Sequence, residues 1–140
     1  MADHAPVADH APGSLQVRRR SDGAVICKHL WLGQSFSQRF LGLMGRASLP
    51  QGDGLYLPTS SIHMMFMRFA IDALFVSGQG PDGVRRVVGI REHLPPWRGI
   101  VLPVRGAQGV IELPAGTLPA HGVRVGDELL FEPDTAMKRG

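Results

Sequence analysis

The sequence predicts a mainly β fold: a compact single-domain barrel or sandwich of short, mostly antiparallel strands, with one short helix near residues 35–44. Three observations point there. β-prone stretches such as Leu15–Arg20, Ala24–Leu32 and Val84–Ile90 are short and recur along the chain. Turn residues separate them, and 18 Gly and 11 Pro in 140 residues suit a turn-rich β fold better than a helical bundle. Phe36, Phe40 and Met44 fall at i, i+4 and i+8, the spacing of one helical face.

The length fits one domain, taken here as residues 14–133. Residues 1–13 duplicate Ala-Asp-His-Ala-Pro and have nothing to bury, so they read as a disordered tail, and 134–140 as a frayed end. A single cysteine, Cys27, excludes an intrachain disulfide. No apolar span is long enough for a membrane helix, and no apolar signal core opens the chain, so a cytoplasmic location is the default expectation. The net charge of +3 is mild. The basic clusters Arg18-Arg19-Arg20 and Arg85-Arg86 read as solvated strand ends, so no nucleic-acid partner is expected.

In chain order, Ser21-Asp22-Gly23 joins the first two strands as a hairpin, with Cys27 and His29 on one face of the second. Ser35 and Gln38 form a capping box for the helix, and Gly45 stops it. Leu55–Leu57 is a short strand, and 76–83 is a loop between strands. Ile100–Val104 and Gly109–Leu113 are further strands. Residues 114–122 can hold one helical turn closed by Gly122, and Val123–Phe131 reads as strand, Gly126-Asp127 turn, strand.

The stretch Ile62–Val76 is the most apolar in the chain, and its polar residues are His63, Arg68 and Asp72. As a straight strand it would be buried on both faces. An ion in such surroundings must be paired or face a wet pocket. Arg68 and Asp72 would then sit about 13 Å apart, at about 3.3 Å per residue, so they meet only if the chain bends near Phe69-Ala70. Glu112, mid-strand in Val110–Leu113, is the other candidate partner for Arg68. The three nearby methionines read as core filling rather than metal ligands, and neither a metal nor a cofactor is expected. Phosphate loops, dinucleotide fingerprints, G-x-S-x-G and CxxC are all absent from the sequence.

Three blocks carry a family resemblance. Arg39-Phe-Leu-Gly-Leu-Met-Gly-Arg46 is followed by His63-x-x-x-Met67-Arg68-x-x-Ile71-Asp72, and then by Glu112-Leu-Pro-Ala-Gly116 with Gly122-Val-Arg-Val-Gly-Asp127. In this order they resemble the domain-of-unknown-function 192 family of bacterial and archaeal proteins, over roughly residues 15–132. The resemblance implies a compact, mainly β domain with no assigned activity, and an envelope location for many members. Ala70 and His63 stand where relatives often have proline and tryptophan.

The candidate ligand-binding residues are therefore His63, Arg68, Asp72 and Glu112. The function expected of them is a small binding domain for an anionic or polar ligand, or a peptide, centred on Arg68, whose planar guanidinium suits a carboxylate or phosphate. A hydrolase-like enzyme using His63 with Asp72 or Glu112 is one alternative. A non-catalytic structural or partner-binding protein is the other. Oligomeric state is open.

Overall fold

The computed structural model describes residues 15–32, 48–64 and 67–133. The helix expected at Ser35–Met44 and the tails at 1–13 and 134–140 lie outside the described residues. Within them the chain forms β1 (Leu15–Arg19), β2 (Val25–Leu32), β3 (Asp53–Leu57), β4 (Ile62–His63), β5 (Ile71–Val76), β6 (Val84–Leu94), β7 (Ile100–Val101), β8 (Gly109–Pro114), α1 (Thr117–His121) and β9 (Glu128–Pro133). Seven strands close into a barrel in the order β1-β2-β3-β8-β5-β6-β9, while β4 and β7 pair separately. The architecture is thus a barrel, not a sandwich. All its pairings are antiparallel except β2 with β3.

The Asp-Gly signal at 22–23 does turn β1 into β2, with Gly23 at φ 74°. A bulge follows. β1 advances two residues from Leu15 to Val17 while its partner moves three, from Leu30 to Cys27. Cys27 and Leu30 therefore both face the barrel interior. His29 is turned to the other face, so the expected sharing of a face by Cys27 and His29 does not occur.

Every residue of β5 and β8 is buried, because the wall they form has a core on both sides. Leu74, Val76, Ile111 and Leu113 fill the barrel with Val17, Leu30 and Leu129. Ile71, Ala73, Phe75 and Val110 face outward into a second core. Two excursions of the chain cover that outer core. One leaves β3 at Leu57 and re-enters at Ile71; the other leaves β6 at Leu94 and re-enters at Gly109. Leu57 pairs with Val110 near one end of the wall, whereas Ile71 pairs with Leu94 and Pro114 at the other. The excursions therefore cross the wall in opposite directions and form an antiparallel ribbon, Ile62 opposite Val101 and His63 opposite Ile100. Backbone bonds from Met64 N–H to Gly99 O, Trp97 N–H to Met64 O and Val104 N–H to Ser60 O, each 2.8 Å, extend it.

The ribbon is held by its inward side chains. Ile62, Met64, Met67 and Val101 join the outer core, with Val104 packed against it. Each large apolar side chain so buried contributes about 1.5–3 kcal/mol. Gly89 admits the close approach: a Cβ there would lie 3.0 Å from Val104 Cγ1.

The straight strand expected over 62–76 is broken between β4 and β5. A turn in which Met67 N–H donates to Met64 O (3.0 Å) brings Met64 and Met67 into one core, where strict alternation would have put them on opposite faces. The helical turn foreseen in 114–122 is α1, closed by Gly122 at φ 62°. The strand expected from Val123 is instead a turn, in which Asp127 N–H donates to Arg124 O (3.1 Å), and only β9 is extended.

Candidate functional site

Asp72 is fully buried, and its carboxylate is occupied by the backbone. Oδ1 accepts from His93 N–H (2.8 Å), and Oδ2 from Gly116 N–H (3.0 Å) and Leu118 N–H (2.9 Å). The need for it is local. Gly116 precedes α1 at the capping position and has no side chain to cap the free N–H groups of the first turn. β6 bulges opposite Asp72, since Ile71 pairs with Leu94 but Ala73 with Arg91, and His93 sits there at φ 54°. One carboxylate caps the helix and anchors the bulge. A buried ion satisfied by three N–H donors needs no arginine.

Glu112 is the contrasting acid. It pairs with Leu55 on β3 and Ala73 on β5, so it faces the outer core, whereas Asp72, paired with Leu113, faces the opposite side of the wall. Only 3% of Glu112 is exposed, and no hydrogen bond or ion pair reaches its carboxyl from the described residues. Burial pushes its pKa up to about 8. At neutral pH it is a protonated carboxylic acid that can both donate and accept. Its row across the sheet is Trp31, Leu55, Glu112, Ala73. One row away, His29 lies opposite Asp53, a second buried acid that the sequence presents merely as part of a Gly-Asp-Gly turn.

Arg68 and His63 are exposed. His63 is on the outward side of the ribbon, because Ile62 and its partner Val101 take the inward one. Neither Asp72 nor Glu112 pairs with Arg68 or His63, so the four candidates do not form one cluster. The expected Arg68–Asp72 or Arg68–Glu112 bridge fails for a plain reason. Breaking the strand at 64–70 lets Arg68 reach water, and a solvated guanidinium needs no buried partner. Among the described residues no group of three or more His, Cys, Asp or Glu could hold a metal ion.

The sequence reading missed Trp97. It is 56% exposed and adopts φ 69°, a backbone region that bulky residues seldom enter. Two prolines immediately before it are the available signal of an unusual turn.

Fold and site together define a small closed-barrel domain with an external ribbon and a protonated acid in the core between barrel wall and cover. The chain belongs to the domain-of-unknown-function 192 family, described as an uncharacterized ACR, whose profile matches residues 17–131. A UPF0127 protein of Thermococcus sibiricus is 32% identical over 118 residues, 81% of this chain and 72% of its own length. A UPF0127 protein of Pyrococcus furiosus is 37% identical over 102 residues, 68% and 79% respectively. A crystal structure of a proposed transcription regulator from Sinorhizobium meliloti superposes with a TM-score of 0.68 at 26% identity, covering 86% of this chain and 95% of that one. A Novosphingobium aromaticivorans protein of unknown function superposes with a TM-score of 0.63 at 23% identity over 83% and 82%, a likeness of fold alone. No helix among the described residues is long and apolar enough to cross a membrane.

Proposed function

We propose that this chain is a binding domain for a small polar ligand or a peptide segment, anchored by Glu112 rather than centred on Arg68. The carrying observation is the Glu112 carboxyl: almost wholly buried, without a hydrogen-bond partner among the described residues, and in a layer where apolar packing would otherwise be cheaper. Burying a carboxyl is costly, and acids whose pKa is raised by burial concentrate at functional sites. A protonated acid suits an amide or carboxylic acid, which offers it one acceptor and one donor. Arg68, exposed on the first excursion, suits an anionic portion of the ligand.

The hydrolase alternative gains no support from Asp72, whose carboxyl is taken up by the backbone N–H groups of His93, Gly116 and Leu118. The description of the Sinorhizobium protein as a transcription regulator gains no support from the two basic runs of the sequence, where Arg18, Arg19, Arg20 and Arg86 pair with carboxylates.

A thermal-shift screen of amides, carboxylic acids and short peptides tests the proposal, run on the parent protein, Glu112→Gln and Glu112→Leu. Compounds that raise the parent's Tm should lose that effect with Glu112→Leu, and change rank with Glu112→Gln, whose amide cannot copy a carboxyl's donor and acceptor. Hits that stabilise all three proteins equally would place the ligand elsewhere and end this proposal.

A further inference from the structure

We propose that the outward side of the ribbon docks on an anionic lipid surface. This goes beyond the Glu112 site and does not depend on it. Three large apolar side chains are exposed there: Trp97 at 56%, Ile100 at 67% and Leu102 at 74%. The pairing of β4 with β7 explains why. Alternation sends Ile62 and Val101 inward and therefore turns Ile100, opposite His63, outward. The Trp97 backbone is fixed by its N–H bond to Met64 O, in a turn also closed by Gly99 N–H donating to Pro95 O at 3.0 Å.

Charge selects the occupant. The two excursions, residues 58–70 and 95–108, contain no Asp or Glu at all. They carry Arg68, Arg98 and Arg105, all exposed, none in an ion pair with a described residue. Elsewhere Arg18 pairs with Glu132, Arg19 with Asp22 and Asp127, and Arg20 and Arg86 with Glu128, while Arg85 lies over Tyr56 and Phe131 and Arg91 and Arg124 are scattered singly. Positive charge is thus unopposed on the lobe that also exposes apolar side chains. A second copy of the chain, bringing the same unopposed arginines, would repel it. Nucleic acid would use the arginines but gives aliphatic Ile100 and Leu102 nothing to stack on. A bilayer with anionic headgroups accommodates all of it. Indole sits at the headgroup level, the aliphatics enter the acyl boundary, and arginines meet phosphates.

The experiment is co-sedimentation of the full chain with phosphatidylcholine vesicles, with and without phosphatidylglycerol, while following tryptophan emission. Trp31 is 5% exposed, so a change of emission on binding reports Trp97. The protein should sediment with the anionic vesicles only, shift its emission to the blue, and release as salt rises. Removing one arginine should weaken partitioning roughly fivefold, so Arg98→Gln/Arg105→Gln should weaken it about twenty-fivefold. Trp97→Asn, which keeps a residue tolerant of positive φ, should also release the protein while melting like the parent. Glu112→Gln should still sediment, which separates this proposal from the previous one. Failure to sediment with anionic vesicles at low salt would overturn it. So would sedimentation indifferent to Trp97→Asn, or equal binding to duplex DNA and to vesicles.

Discussion

At the scale of single residues, the two acids of the β5–β8 wall show how one residue of register decides a carboxylate's fate. Asp72, facing the end of the barrel closed by α1, finds three N–H donors. Glu112, facing the outer core, finds none among the described residues. Asp72→Ala would leave those donors buried and unpaired, at a cost of about 3 kcal/mol or more. Urea denaturation should show the loss as a lower midpoint with little change in slope. Glu112 gives a pH signature. Its pKa is raised in the folded protein from an ordinary 4.5 to about 8, so between those values the folded state holds a proton that the unfolded state has lost. Stability due to this group is therefore greatest at and below about pH 4.5, falls through the window, and levels off above about pH 8. Glu112→Gln should match the parent at the acid end and exceed it at the alkaline end. A shift of this size corresponds to about 5 kcal/mol at most. A parent-minus-variant difference that stays flat across that range would show the carboxyl to be ionised in the folded protein.

Elements were legible where a local rule decided them. Asp22-Gly23 placed a hairpin, Gly122 ended a helical turn, and the β-prone run Val84–Ile90 announced β6. Closure was not legible, because β1–β9 pairing depends on residues more than a hundred apart. The Met64–Met67 turn that frees Arg68 was hidden for a different reason: no Gly or Pro marks it. That turn is stabilised by what lies beneath, not by its own sequence. Of the site, Glu112 was named from its mid-strand position, but its isolation from Arg68 required the register. Ribbon geometry makes its own prediction. A Cβ at Gly99 would lie 2.7 Å from Met64 Cγ and 3.0 Å from Pro95 O. Gly99→Ala should therefore loosen the ribbon at an overpacking cost of about 1–3 kcal/mol. Hydrogen exchange should rise at Met64, Trp97 and Val104 while the N–H groups of β5 and β8 stay protected.

On the scale of the whole molecule, the barrel separates two tasks. Its interior, closed by α1, supplies a core that the outward layer does not share. The outward layer, between wall and ribbon, carries the uncompensated acid and the unopposed arginines. Closure makes the first task all-or-none. β9 joins β6 to β1 along Val84–Arg86 and Leu15–Arg19, and its loss would expose two edges at once. A chain truncated after Asp127 should accordingly lose cooperative unfolding by circular dichroism, with no intermediate retaining a sheet.

The pairing of Leu15 with Pro133 has a practical sequel. These positions are neighbours across a ladder, so a few-residue linker could splice them, and new ends could be opened in the exposed Gln79–Asp82 turn between β5 and β6. Such a circular permutant would keep every strand's neighbours while moving the ends of the polypeptide to another part of the surface. Fusion partners or surface tethers could then be attached at either location, and the orientation of the domain chosen independently of its sequence order.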